Sequence, residues 1–292
     1  MKLDTGATQT AIPLLFVLLW STGFTMAKLG LPYVEAMTFL TVRFFLAASV
    51  LVLVILFLQG RKTLEPIEYF HCAVVGLLLH AVYLGGVFAA VDRGLDAGLS
   101  ALIVSLQPVL TLILGSILLG ESLSRKKIVG TALGFIGVAI VLQQRGLDWS
   151  GADRLSLLLC VASLIGISVG TLYQKKFVVN VPHIPSVCTQ YVVASAVLLP
   201  LAQSFETMQI QWTGTFIFSL TWLVVVLSLG AVFLLMLMIR AGEVSRVASF
   251  IYLVPPFVVI EAYFMFGETL TALALMGIGL CIAGVAMVTR SN

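Results

Sequence analysis

The stretch GLSALIVSLQPVLTLILGSILLGESLSRKKIVGTALGFIGVAIVL, from Gly98 to Leu142, decides the fold. It holds two apolar runs, each about long enough to cross a bilayer as a helix. The charged turn Gly120-Glu121-Ser122-Leu123-Ser124-Arg125-Lys126-Lys127 joins them. Pro108 interrupts the first run near its middle, and Gly130, Gly134 and Gly137 line one side of the second. The stretch recurs at an offset of 147 positions. Pro108 meets Pro255, Gly120-Glu121 meets Gly267-Glu268, and Leu123 meets Leu270; Gly130 meets Gly277, and Gly137-Val138-Ala139 meets Gly284-Val285-Ala286. From Arg93/Arg240 to Leu142/Thr289 the fifty ungapped pairs hold 14 identities, well above what shared apolar composition gives. The chain reads as a duplication.

Composition fixes the solvent. Of the 292 residues, 60% are hydrophobic and 10% charged, and the mean hydropathy is +1.13. Soluble domains carry about a quarter charged residues. Lipid must cover most of this surface, which makes the chain an all-α integral membrane protein. The net charge of +3 is small and its basic residues form short clusters, so nucleic-acid binding is not indicated. Cys72, Cys160, Cys188 and Cys281 show no metal-ligand spacing and read as small buried hydrophobes. No metal and no cofactor is expected. The first apolar run has no small-residue cleavage signal and reads as a span rather than a signal peptide.

Ten spans are predicted, at about 11–30, 36–58, 69–91, 97–119, 127–143, 155–175, 184–203, 214–238, 244–266 and 271–289. They are too long and too uniformly apolar for barrel strands. With a cytoplasmic N-terminus, eleven basic residues fall on the inner side: Lys2, Arg61, Lys62, Arg125, Lys126, Lys127, Lys175, Lys176, Arg240, Arg246 and Arg290. Lys28, Arg93, Arg145 and Arg154 fall outside, so both termini are expected in the cytoplasm. Five helices per copy place the second copy upside down. The expected architecture is ten transmembrane helices in two inverted five-helix repeats, 11–143 and 155–289, with a substrate site between them near the midplane. The offset also holds at the start of each half, where Ser21, Gly23 and Lys28 meet Ser168, Gly170 and Lys175; Arg43 meets Gln190 and Ala47 meets Ala194.

The two copies, Pro108…Leu119-Gly120-Glu121…Gly130…Gly137-Val138 and Pro255…Phe266-Gly267-Glu268…Gly277…Gly284-Val285, resemble the EamA repeat of the drug/metabolite transporter superfamily. The pair Trp20-Ser21 fits that family's usual opening. The resemblance implies a ten-helix, multi-pass transporter of the bacterial inner membrane, commonly an exporter of small metabolites such as amino acids. Among its members, the YddG-type exporters of aromatic and other neutral amino acids are the nearest expectation. The expected partners are a small-molecule substrate and the lipid bilayer, and the expected state is a monomer or weak homodimer.

Polar residues at membrane depth mark the candidate site, because an unpaired polar group in hydrocarbon is costly. Gly76, His80, Tyr83 and Val87 share a face of the third span; Ser100, Val104, Gln107 and Thr111 share one on the fourth. Ser245, Ser249, Tyr252 and Pro256 repeat the spacing on the ninth, and the sixth offers Ser163, Gly166, Gly170 and Tyr173. Trp20 and Gly23 join from the first span, and Ser219 and Trp222 from the eighth. The candidate cavity residues are thus Trp20, His80, Tyr83, Ser100, Gln107, Tyr173, Trp222, Ser249 and Tyr252. Such stripes also serve simply to pack helices. Pro108, Pro255 and Pro256 remove mid-helix donors and are candidate hinges.

Arg43 and Glu261 lie at similar depth, about 11 and 8 Å from the same membrane face, so that they can pair; the pair reads as a permanent structural one or an outer gate, with Glu261 a candidate proton carrier or either side chain snorkelling to the headgroups. His80 is a second titratable candidate. Glu121 and Glu268 read as structural turn acids, and Asp92, Arg93 and Asp96 as a cluster at the outer mouth. There is no HExxH motif and no intramembrane aspartate pair, and His71, His80 and His183 suggest no serine–histidine arrangement, so an enzyme is not expected. A multidrug or other metabolite permease, in either direction, is the alternative within transport; a membrane scaffold or enzyme is the alternative outside it. A nucleotide-sugar site would concentrate Lys and Arg for phosphates, and only Arg43 lies deep.

Overall fold

The computed structural model describes residues 6–59, 64–95, 100, 103–143, 153–241, 244–266 and 271–290. Among these the chain is helical throughout, with one isolated antiparallel bridge between Val34 and Ile210. The helical stretches are α1 (Gly6–Gly30), α2 (Ala36–Val54, continued by Ile55–Gln59), α3 (Pro66–Asp92), α4 (Gln107–Leu119), α5 (Arg125–Gln143), α6 (Arg154–Val178), α7 (His183–Phe205), α8 (Gly214–Arg240), α9 (Val244–Phe266) and α10 (Ala272–Thr289). Seven are long and apolar enough to cross a membrane: α1 to α3, α6 to α8 and α10, and shorter apolar helices stand beside them. Large apolar side chains point outward around the bundle. Phe57 and Phe205, for example, are about four-fifths exposed, a surface that only lipid solvates well.

Helix starts follow the local chemistry. Asp153, Thr213 and Thr271 precede α6, α8 and α10, and each side chain accepts an amide of the first turn, from Ser156, Phe216 and Ala274. Asp153 also takes a 2.7 Å ion pair from Arg93, which with the Ser156 bonds holds its carboxyl down at about 2. Arg93 is therefore tied to the start of α6 rather than to Asp92; Asp96 lies outside the described residues. At the same end of the bundle two glutamates cross over. Glu206, after α7, accepts the Met37 and Thr38 amides of α2 at 2.6 and 2.7 Å, while Glu35, before α2, accepts the Thr207 amide at 2.7 Å.

The fourth span departs from expectation. Instead of one helix bent at Pro108, the chain turns at Ser105-Leu106 and a new helix begins at Gln107, with Pro108 in its first turn. A first-turn amide has no intrahelical partner, so proline costs nothing there. The same break recurs 147 residues on: α9 tightens to a 3-10 turn at Phe250–Leu253 and restarts at Val254, just before Pro255 and Pro256. The prolines thus mark the restart of each helix rather than a mid-helix kink. A second matched irregularity is π-helical: Leu77–Leu84 in α3 and Leu223–Ala231 in α8 stand at equivalent positions.

Packing repeats under exchange of the two halves. α3 packs on α6 and α7, as α8 does on α1 and α2; α4 packs on α6, as α9 does on α1. The pairs α2·α7, α4·α9 and α5·α10 map onto themselves. At α5·α10 the glycines explain the contact. A Cβ on Gly130 would stand 2.7 Å from the Gly284 carbonyl oxygen, and one on Gly137 would stand 2.6 Å from that of Gly277. Between them Cys281 donates to the Gly134 carbonyl, a pair 147 positions apart. Ascending numbers on α5 meet descending numbers on α10, so the two run antiparallel, in the self-complementary pattern of a local two-fold axis. The α2·α7 pair repeats the scheme. Ser195 donates to Thr41 O, Cys188 donates to Ala48 O, and the counterparts Phe44 and Tyr191 stack between them at 5.3 Å.

Candidate substrate cavity

Side chains of helices α1, α4, α6, α8 and α9 line one narrow, partly open cavity. Trp20 and Ile167, counterparts at the 147 offset, form two of its walls. Leu235 and Ile239 of α8 and Val247, Ala248 and Ile251 of α9 add apolar surface. Gln107 enters from the restart of α4; its side chain is buried and its Oε1 has no hydrogen-bond partner. Thr171 also lines the space, but its hydroxyl turns back onto the Ile167 and Ser168 carbonyls. The clear width admits about a water molecule, so the cavity is closed around its centre in this conformation.

Unsatisfied polar atoms gather near the two helix breaks. Ser100 Oγ, Gln107 Oε1 and Thr111 Oγ1 on or near α4, Tyr252 OH on α9 and Ser168 Oγ on α6 are buried without partners among the described residues. A buried polar group without a partner is destabilising and normally rare. Tyr252 is wholly buried and packs its ring over Gly134, one turn from Ala248 on the cavity wall. Ser249 is likewise wholly buried.

Other predicted cavity residues go elsewhere. His80 stands between Phe44 and Tyr191, with Nε2 3.3 Å from Gln190 Oε1, in the packing of α3 on α2 and α7. Tyr83 is buried in the cluster against which Trp20 packs. Tyr173 bonds His71 Nδ1 at 2.7 Å and packs at a tilt against Phe177, and neither lines the cavity. Trp222 donates from Nε1 to Thr22 Oγ1 at 2.9 Å and serves to join α8 to α1.

The expected Arg43–Glu261 pair is not formed. Glu261 on α9 accepts the Ser21 and Thr25 hydroxyls of α1, the latter at 3.1 Å. Arg43 on α2 donates from Nε to Ser228 Oγ at 2.9 Å. Helix packing explains the correction, since α9 lies against α1 whereas α2 lies against α7 and α8. Glu121 folds back over Gly115, and Glu268 and Ser245 lie outside the described residues or side chains.

The sequence profile of the EamA-like transporter family matches residues 10–143 and 154–290. The chain belongs to the EamA-like transporter family. It is 32% identical over 98% of its length, and 93% of the relative's, to the uncharacterized transporter YvbV of Bacillus subtilis. It is 28% identical to a probable amino-acid metabolite efflux pump of Salmonella typhimurium, over 94% of this chain and 92% of that one. A solved crystal structure superposes with a TM-score of 0.81, covering 98% of this chain and 97% of its own at 18% identity, a likeness of fold.

For a multi-pass membrane protein of this family, the informative residues beyond those expected are Ile167 and Thr171 in the cavity, Ser21 and Thr25 on Glu261, and Tyr191 and Ser228 around Arg43. Offset arithmetic finds part of this set: Ile167 is the counterpart of Trp20, and Tyr191 of Phe44. Ser228 carries no such signal, because a serine in an apolar run looks like packing.

Proposed function

We propose that this protein is a secondary transporter that exports small amphipathic metabolites, neutral and aromatic amino acids foremost, across the bacterial inner membrane by alternating access. In this reading all ten helices span the membrane, residues 11–143 and 155–289 form two inverted halves, and both termini are cytoplasmic. The antiparallel α5·α10 and α2·α7 contacts support the inversion, since five spans per half require equivalent helices to run in opposite senses.

One observation carries the reading. Two helices break at equivalent positions, Ser105-Leu106 and Phe250–Leu253, and both breaks abut one cavity between the halves. Irregular backbone at membrane depth is tolerated where it lines a cavity, and discontinuous helices at repeat interfaces are where transporters hold substrate. The unpaired Gln107 oxygen suits an ammonium group, while Trp20, Ile167 and Leu235 offer an apolar wall for a side chain. Pro108, Pro255 and Pro256 act as the hinge ends, because the segments beyond them can tilt without breaking ladder bonds. Glu261, held by two hydroxyls across the α1·α9 contact, is the coupling residue of this scheme.

Reconstitution tests it. Proteoliposomes preloaded with labelled leucine or phenylalanine should release it faster than empty vesicles and exchange it against external amino acid. If no amino acid in a broad panel crosses faster than in protein-free vesicles, the proposal is wrong; preferential competition by hydrophobic cations would favour a multidrug permease.

A further inference from the structure

Arg43 is only 4% exposed, on a helix in the middle of an apolar bundle. No carboxylate stands beside it: the one ion pair among the described residues is Arg93–Asp153, and Glu261 is held by Ser21 and Thr25. A guanidinium presents five N–H donors. Of these the protein takes the Nε proton, on Ser228 Oγ, and no acceptor among the described residues takes an Nη proton. The remaining neighbours are aromatic. The Phe44 ring lies 5.5 Å from the guanidinium carbon, Tyr191 stacks on that ring at 5.3 Å, and the His80 ring packs against both. Tyr191 spends its own proton on the Ser228 carbonyl, and His80 Nδ1 has no partner.

An unpaired cation in a dry interior is strongly unfavourable, and a π face offsets only part of that cost. A planar fork of free N–H groups is also the geometry that grips a carboxylate through two parallel bonds. The π-helical turns of α3 and α8 contribute His80, Tyr83 and Ser228 to the same nest. Tyr83 belongs to the same buried cluster as Phe44 and Tyr191, and Trp20 of the cavity wall packs against that cluster.

We propose that Arg43 is the anion subsite of the transporter and binds the carboxylate of its substrate, Tyr83 and Trp20 moving aside to join nest and cavity. That the ligand is an amino acid rests on the preceding section; the demand for a carboxylate rests on Arg43 alone.

Full-length protein in nanodiscs, in chloride-free gluconate buffer, is titrated with phenylalanine, phenylalaninamide and benzoate, with thermal stability as readout. The wild type should be stabilised by phenylalanine and not by its amide. Arg43→Gln should weaken phenylalanine binding about 10- to 100-fold, as loss of a charge-assisted bond implies, and Arg43→Lys should retain part of it and the preference for acid over amide. Should Arg43→Gln fail to fold, the wild-type acid-to-amide ratio still decides. Equal binding of acid and amide by the wild type overturns the assignment, as does an unchanged ratio in Arg43→Gln. If phenylalanine and other amino acids fail while benzoate stabilises the wild type but not Arg43→Gln, the amino-acid reading falls and the anion subsite stands. If no carboxylate stabilises the wild type, or added chloride does so equally, the subsite is refuted.

Discussion

Replacing Gly284 by alanine tests the crossing of α5 and α10 directly. The new Cβ would lie 2.5 Å from the Gly130 carbonyl oxygen and 2.6 Å from the Gly134 amide nitrogen, where ordinary contact begins at 3.4 Å. Both obstacles are backbone, so no side chain can swing away and the helices must part by about 1 Å, as overpacked cores do at a cost of about 1–3 kcal/mol. Alanine returns about 1 kcal/mol through helix propensity. Gly279, on the same helix, supplies the control: a Cβ there meets nothing within 4 Å, so Gly279→Ala keeps the propensity gain without the clash. The difference between the two variants isolates the close approach. At about 2–4 °C per kcal/mol it amounts to several degrees of melting temperature. A fluorogenic thiol dye reads the transition, since Cys72, Cys160, Cys188 and Cys281 are all buried and free. Coincident melting of Gly284→Ala and Gly279→Ala would refute the close two-fold contact and weaken the inverted arrangement built on it.

Gln107→Leu, which keeps volume but removes the unpaired oxygen, should lower transport severalfold in proteoliposomes while leaving protein yield and melting near wild type; unchanged transport would remove Gln107 from the site. Glu261→Gln keeps the hydrogen-bonding shape toward Ser21 and Thr25 but cannot ionise, so pH-driven transport should vanish while exchange at constant pH persists. A pH response that survives would exclude Glu261 as the coupling group. Glu206→Ala strips two amides of α2 of their acceptor and should cost about 1–2 kcal/mol, in the range of a lost helix cap. A melting temperature equal to wild type would mean water replaces the carboxylate without loss.

Sequence carried the helices further than the site. Most helix boundaries and the duplication were legible because apolar length and a constant offset are chain-local quantities, as Gly130, Gly137, Gly277 and Gly284 illustrate. The fourth span was misread because composition is blind to a one-turn break: Ser105-Leu106 is as apolar as its surroundings, and only Pro108 hints at it. On α3 the register of His80 and Tyr83 also depends on a π turn over Leu77–Leu84 that residue spacing cannot announce. Arg43 and Glu261 have similar depth, and depth was all the sequence offered; which helices are neighbours decided that they stay apart.

The α5·α10 contact also has a bearing on how the chain is made. Cys281 is synthesised 147 residues after the Gly134 carbonyl it will meet. At about 5–20 residues per second, α5 waits on the order of ten seconds for its mate. Throughout that interval its row of glycines is a shallow slot shaped for one particular helix and filled only by lipid. The helix that closes the slot is thus made long after it, and a chain stopped before Thr271 would display an unfinished face to the membrane's quality control.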